Sequence, residues 1–124
     1  MRILEIGCGP GAAARAIANQ IGDGYVLAID RSEKAIAQAK KISQDEMALG
    51  CLGFRQAAIE DFELEPHEEL FDLAFAVRVG ALDGRHPETG KKALHRIGKL
   101  LKPGGKLFVD GGDPIKEVVI GDYQ

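Results

Sequence analysis

The sequence predicts a single doubly wound α/β domain: a parallel sheet with helices on both faces. Three observations predict it. Short apolar runs alternate with helix-period segments along the whole 124-residue chain. Those runs are almost continuously apolar, as in strands buried on both faces. The first of them breaks at "GCGPG" and turns into an alanine-rich helix, a strand–turn–helix junction. Five strands with helices between them imply repeated βαβ units with right-handed crossovers.

The elements follow in order. Arg2–Ile6 is apolar and stopped by Gly7, so it reads as a buried strand. Residues 12–21 are helical by propensity, and Gly22-Asp23-Gly24 ends them. Tyr25–Asp30 is a second strand, uncharged until its last residue. Ser32 is placed to cap the next helix, where Ile36, Ala39, Ile42 and Met47 fall roughly on one face. Gly50 and Gly53 flank a third strand at 52–58, and an acidic loop leads to a fourth, Phe71–Val77. Residues 80–87 form a loop. Ala93, Leu94, Ile97 and Leu101 keep helical spacing until Lys102-Pro103-Gly104-Gly105 stops them. A fifth strand starts at 106–110, Gly111-Gly112 and Pro114 break it, and 118–120 offers part of a sixth. No repeat, low-complexity stretch or linker divides the chain, so residues 1–124 are expected to be one domain.

Composition narrows the function. Apolar residues make up 45%, ordinary for a globular chain, and the net charge is −3 with Lys and Arg dispersed. Without a basic block, nucleic acid is not the expected partner. No apolar run reaches the roughly 18 residues of a membrane span, and no signal peptide is expected. Cys8 and Cys51 make no disulfide framework, which points to a reduced, cytoplasmic protein. Cys8 reads as a small residue in a tight loop. His67, His86 and His95 lack metal-ligand spacing, so no metal is expected.

Sheets of this kind bind ligands beyond the carboxyl ends of their strands. That rim should collect residues 7–11, Asp30, Glu60, Asp61, Arg78 and Asp110. The glycines let the backbone turn tightly and approach a ligand. Asp30, 19 residues after Gly11 at a strand end, is placed to accept both hydroxyls of a ribose. A nucleoside ligand is therefore expected. Two classes fit, because Gly7, Gly9 and Ala12 also satisfy a dinucleotide GxGxxA fingerprint.

The longer segments are more specific. "LEIGCGPG" (4–11) resembles the first motif of the class I S-adenosylmethionine-dependent methyltransferases. "VLAIDRSEKAIAQAKK" (26–41) resembles their second, "FRQAAIEDFEL" (54–64) the adenine-contacting segment, "FDLAFAVRVGAL" (71–82) the fourth-strand motif, and "LHRIGKLLKPGGKLFVD" (94–110) the final helix–turn–strand. The match runs to about residue 112. It implies a Rossmann-like sheet with five parallel strands in the order 3-2-1-4-5 and the usual sixth and seventh strands absent or partial. It also implies S-adenosylmethionine as donor, S-adenosylhomocysteine as product, and these roles. Glu5 orients the loop and reaches the methionine ammonium. Gly7, Cys8, Gly9 and Gly11 form the loop against the methionine and ribose. Asp30 grips the ribose, and Arg31 lies along the adenine. Ile59 N–H and Glu60 read the adenine edge, and Arg78 sits near the methionine carboxylate or the acceptor. One departure stands out. Relatives often carry an acid where this chain has Ala58, so adenine recognition here falls to Glu60 and backbone groups.

Methyl transfer from a sulfonium works mainly by positioning, so a catalytic triad is not required. Arg78 and His86 are the catalytic candidates, His86 as a base or acceptor contact; His67 reads as solvated and His95 as structural. The chain lacks an "NPPY"-like tetrapeptide after the fourth strand and a Pro-Cys pair, which favours a small-molecule acceptor over nucleic acid. The alternative is a non-catalytic S-adenosylmethionine-binding regulatory subunit, or the donor-binding fragment of a larger enzyme. An open edge at the fifth strand predicts a homodimer through that strand or the C-terminal tail.

Overall fold

The computed structural model describes residues 1–77, 87–110 and 116–123. The elements are β1 (Arg2–Ile6), α1 (Ala12–Ala18), β2 (Tyr25–Asp30), α2 (Glu33–Ile42), α3 (Gln44–Ala48), β3 (Leu52–Gln56), β4 (Phe71–Val77), α4 (Pro87–Leu100), β5 (Leu101–Asp110) and β6 (Lys116–Val118). The strands form one sheet in the order β3-β2-β1-β4-β5-β6. The first five are parallel, in the expected order, and β6 runs antiparallel to β5.

Each central strand feeds two cores, because successive side chains point to opposite faces. On one face Leu4, Leu27, Phe71, Ala74 and Leu107 pack beneath Ala93, Ile97 and Leu100 of α4. On the other, Ile3, Val26, Ala28 and Leu52 pack beneath Ala14 and Ala18 of α1 and Ile36 and Ala39 of α2. A fully buried Leu, Ile or Val contributes about 1.5–3 kcal/mol. A one-residue slip would exchange the two faces, so the packing fixes the register.

Element boundaries depart from the sequence reading at four places. α1 ends at Ala18, where the Asn19 side-chain amide donates to the Arg15 carbonyl at 2.9 Å. The second helix is broken at Ser43, whose backbone leaves helical geometry. Ile42, off the face of Ile36 and Ala39, is exposed, while Met47 of α3 packs against the core. β3 stops at Gln56, before the expected end at residue 58. The Lys102-Pro103-Gly104-Gly105 segment lies inside β5: Leu101 pairs with Phe71 and Lys106 with Leu73, and the extra residues bulge with Gly104 at φ +82°.

The C-terminal tail corrects the expected open edge. β6 occupies 116–118 rather than 118–120, and it pairs with β5 of its own chain, Leu107 opposite Val118 and Phe108 opposite Glu117. Ile120 turns into the core and Val119 is left 74% exposed. The last turn, Gly121–Tyr123, docks on α4, with the Tyr123 ring edge-on to His95 at 5.0 Å. Gly98 of α4 is buried there, and a Cβ on it would collide with the Tyr123 carbonyl. In an open helix interior Gly→Ala stabilises by about 1 kcal/mol. Here the sign reverses: Gly98→Ala should lower the thermal midpoint, costing about 1–3 kcal/mol. Differential scanning calorimetry checks it.

Candidate functional site

β1, β2 and β3 end level with one another, Ile6 opposite Ile29 and Asp30 opposite Gln56. The chain leaving β1 is tied to the end of β2. Gly7 N–H and Cys8 N–H both donate to the Ile29 carbonyl, at 2.8 and 3.0 Å. Gly9 N–H donates to Asp30 Oδ2 at 2.9 Å, and Gly11 N–H closes back onto the Cys8 carbonyl at 3.1 Å. Pro10 has no N–H to place. The loop donors that a pyrophosphate would need are therefore spent on the protein itself.

The glycines differ in their reasons. Gly9 and Gly11 both have positive φ, +55° and +88°. A Cβ on Gly11 would strike the Phe54 ring at 2.8 Å, so Gly11 is required by packing. A Cβ on Gly9 would meet nothing within 4 Å and would point into open space. Gly9→Ala should therefore fold with a loss of about 1–2 kcal/mol for its left-handed backbone, yet obstruct a ligand lying on the loop. Gly11→Ala should lose more stability than Gly9→Ala in the same chemical melts.

Glu5, at the end of β1, is only 3% exposed. Its carboxylate accepts the N–H of Ala14 in the first turn of α1, while Oε1 has no partner among the described residues. Burial, opposed by that N–H and reinforced by the nearby charge of Asp30, raises its pKa from 4.5 to about 7. The same surroundings act on Cys8, whose thiol burial and the neighbouring Glu5 and Asp30 push up to about 12. Cys8 is thus a neutral thiol in the loop, bonded to the Gly9 carbonyl, and no nucleophile. The folded protein holds the Glu5 proton more tightly than the unfolded chain. Its contribution to stability is fully present below about pH 4.5 and is lost as pH rises through about 7. Glu5→Gln should abolish that loss: the variant melts above wild type at pH 8, and the gap closes toward pH 4.5.

Asp30 is held by two backbone donors. Oδ1 accepts from Ser32 N–H at 2.8 Å and Oδ2 from Gly9 N–H. Ser32 caps α2 as expected, its hydroxyl accepting Ala35 N–H at 3.1 Å. Arg31 is largely exposed and pairs with Glu60 at 3.0 Å, across from the end of β2, while Gln56 Nε2 donates to its carbonyl. Ile59 is buried in the turn Ile59–Asp61 that presents Glu60.

The structure thus brings Glu5, Gly7, Cys8, Gly9, Gly11, Asp30, Arg31, Ile59 and Glu60 to one rim. Asp61 does not join them: it pairs with Lys92 on the surface. His95 is engaged by Tyr123. Arg78 and His86 lie outside the described residues, as does the side chain of Asp110. Sequence reading missed the Gly9–Asp30 and Arg31–Glu60 links. Nothing in spacing alone signals that a strand-end acid will bond a loop amide.

The rim is acidic, with Glu5 and Asp30 beside the Arg31–Glu60 ion pair and spent amides, and it suits a cationic nucleoside better than a diphosphate. Comparison with known proteins points the same way. A tRNA N(3)-cytidine methyltransferase (METTL2) of Danio rerio is 30% identical over 110 residues, covering 87% of this chain and 31% of that protein. An O-methyltransferase (rstn1) of Aspergillus nomiae is 30% identical over 123 residues, covering 95% of this chain and 52% of its own length. The solved structure of PKMT2 from Rickettsia typhi in complex with AdoHcy superposes with a TM-score of 0.72 at 27% identity, over 87% of this chain and 20% of that one. The chain spans about a third to a half of the length of these curated relatives. The family model described as a methyltransferase domain matches residues 3–105. The chain belongs to that family, as a class I S-adenosylmethionine-dependent methyltransferase domain.

Proposed function

We propose that this chain binds S-adenosylmethionine on the rim of β1–β3 and transfers its methyl group to a small-molecule acceptor. The observation that carries the reading is electrostatic. Buried Glu5, with an oxygen that has no partner among the described residues, and the Asp30 carboxylate flank a loop whose N–H groups at 7, 8, 9 and 11 are already satisfied. Such a site attracts an ammonium and a ribose and repels a pyrophosphate, which disfavours the dinucleotide reading.

The residues would divide the donor as follows. Glu5 faces the ammonium, the backbone at Gly7, Cys8, Gly9 and Gly11 lies along the methionine and ribose, and Asp30 accepts the ribose hydroxyls. Arg31 and Glu60, joined as an ion pair, flank the adenine with Ile59 N–H. When bound, the donor supplies a sulfonium-activated methyl group. The chain's own task is to orient it and exclude water. Arg78 and His86, which follow β4, are the residues proposed to contact the acceptor.

The O-methyltransferase likeness and the net charge of −3 support a small acceptor, and the tRNA-methylating relative makes tRNA the control. No helix among the described residues is long and apolar enough to cross a membrane, and both cysteines are free, in keeping with a cytoplasmic protein. Assembly as a homodimer, if it occurs through the tail, would use the outer edge of the three-residue β6.

Titration calorimetry with S-adenosylmethionine, S-adenosylhomocysteine and NAD tests the donor, and transfer of a labelled methyl group to small-molecule and tRNA pools tests the acceptor. The first two ligands should bind and NAD should not. NAD binding as tightly as the nucleosides would reject the reading. Donor binding with no transfer to any pool would favour the non-catalytic binding module.

A further inference from the structure

The family resemblance gives Asp30 one task, the ribose. The geometry assigns it a second. Both carboxylate oxygens are in use without any ligand: Oδ2 holds Gly9 N–H at 2.9 Å and Oδ1 holds Ser32 N–H at 2.8 Å. The two donors belong to different parts of the fold, the loop after β1 and the cap of α2. Asp30 therefore bridges the loop to an element fixed by its own core packing.

Gly9 needs such a tether. It is the freest residue type, at φ +55°, and the position its Cβ would take meets nothing within 4 Å. Gly7 and Cys8 are held by the Ile29 carbonyl and Gly11 is wedged against Phe54, but Gly9 has no comparable packing. The hydrogen bond from its N–H to the Asp30 carboxylate supplies that restraint.

We propose that Asp30 is a positioning residue for the glycine loop: its carboxylate fixes residue 9 in the ligand-ready shape before any ligand arrives. Each oxygen keeps a second lone pair, so holding the loop leaves Asp30 able to accept two ribose hydroxyls. The ligand side of this inference rests on the donor reading above; the tether itself does not.

Two measurements separate a tether from a ribose contact. The first is amide hydrogen exchange of the ligand-free protein, wild type against Asp30→Asn. Asparagine keeps the size of the side chain but turns an amide donor toward one of the two N–H groups. Gly9 N–H should exchange at least about tenfold faster in the variant, while Gly7 N–H, held by Ile29, changes little. Equal exchange at Gly9 would overturn the proposal. The second is binding of S-adenosylhomocysteine and of its 2′,3′-dideoxy analogue, which has no ribose hydroxyls to lose. A tether predicts that Asp30→Asn and Asp30→Ala weaken the dideoxy ligand by about tenfold or more; unchanged affinity for it would leave Asp30 with the ribose alone and overturn the proposal. A wild-type protein that binds neither ligand would sink the donor reading, and the exchange measurement would still decide the tether. Thermal melts of both variants establish that they are folded under the conditions used.

Discussion

The Ile29 carbonyl is the fixed point of the site. Two successive N–H groups, of Gly7 and Cys8, converge on it, and everything that follows in the loop takes its direction from that pair. The carbonyl is fixed because β2 is fixed. The strand lies between β1 and β3, with Val26 and Ala28 buried on one face and Leu27 and Ile29 on the other. Neither face tolerates a register slip. A run of six residues, four of them buried, thus places the loop after β1 to within hydrogen-bond tolerance. The chemistry of the rim is inherited from the packing of the sheet, and mutations in the β2 core would reach it through this carbonyl.

From that arrangement comes the electrostatic character of the rim. Two carboxylates stand at its base in contrasting surroundings. Asp30 is half-exposed and accepts two N–H groups. Glu5 is buried with one N–H and one oxygen without a partner, so it ionises near neutrality. Burying a carboxylate this way costs stability above pH 7, and no described cation is placed to offset it. A cationic ligand would supply the missing partner.

Much of this was legible in the sequence, for identifiable reasons. Strands buried on both faces leave continuous apolar runs, so β1, β2 and β4 were found at their true limits. Glycine at 7, 9 and 11 and an acid at 30 mark the rim because few residue types can do those jobs. What spacing could not carry was choice among hydrogen-bond partners. Ser43 is an acceptable helix residue, and only the packing of Met47 beyond it reveals a break. Lys102-Pro103-Gly104-Gly105 has the composition of a turn, yet it bulges within β5 because Leu101 already pairs with Phe71. Likewise the three glycines look equivalent in sequence, and only the Phe54 ring separates Gly11 from Gly9.

The C-terminal tail shows how the far side of the sheet is closed. An unpaired β5 would present open backbone donors and acceptors, a liability that folds usually cover. Here a three-residue strand covers it, with Glu117 reaching Lys106 at 3.7 Å across the pair and Ile120 anchored in the core. The docking of Gly121–Tyr123 on α4 depends on a bare backbone at Gly98. This closure lies on β4, β5 and β6, whereas the described rim residues lie at the ends of β1, β2 and β3. The tail acts on the cohesion of the domain through α4. The rim's described part answers to the register of β2.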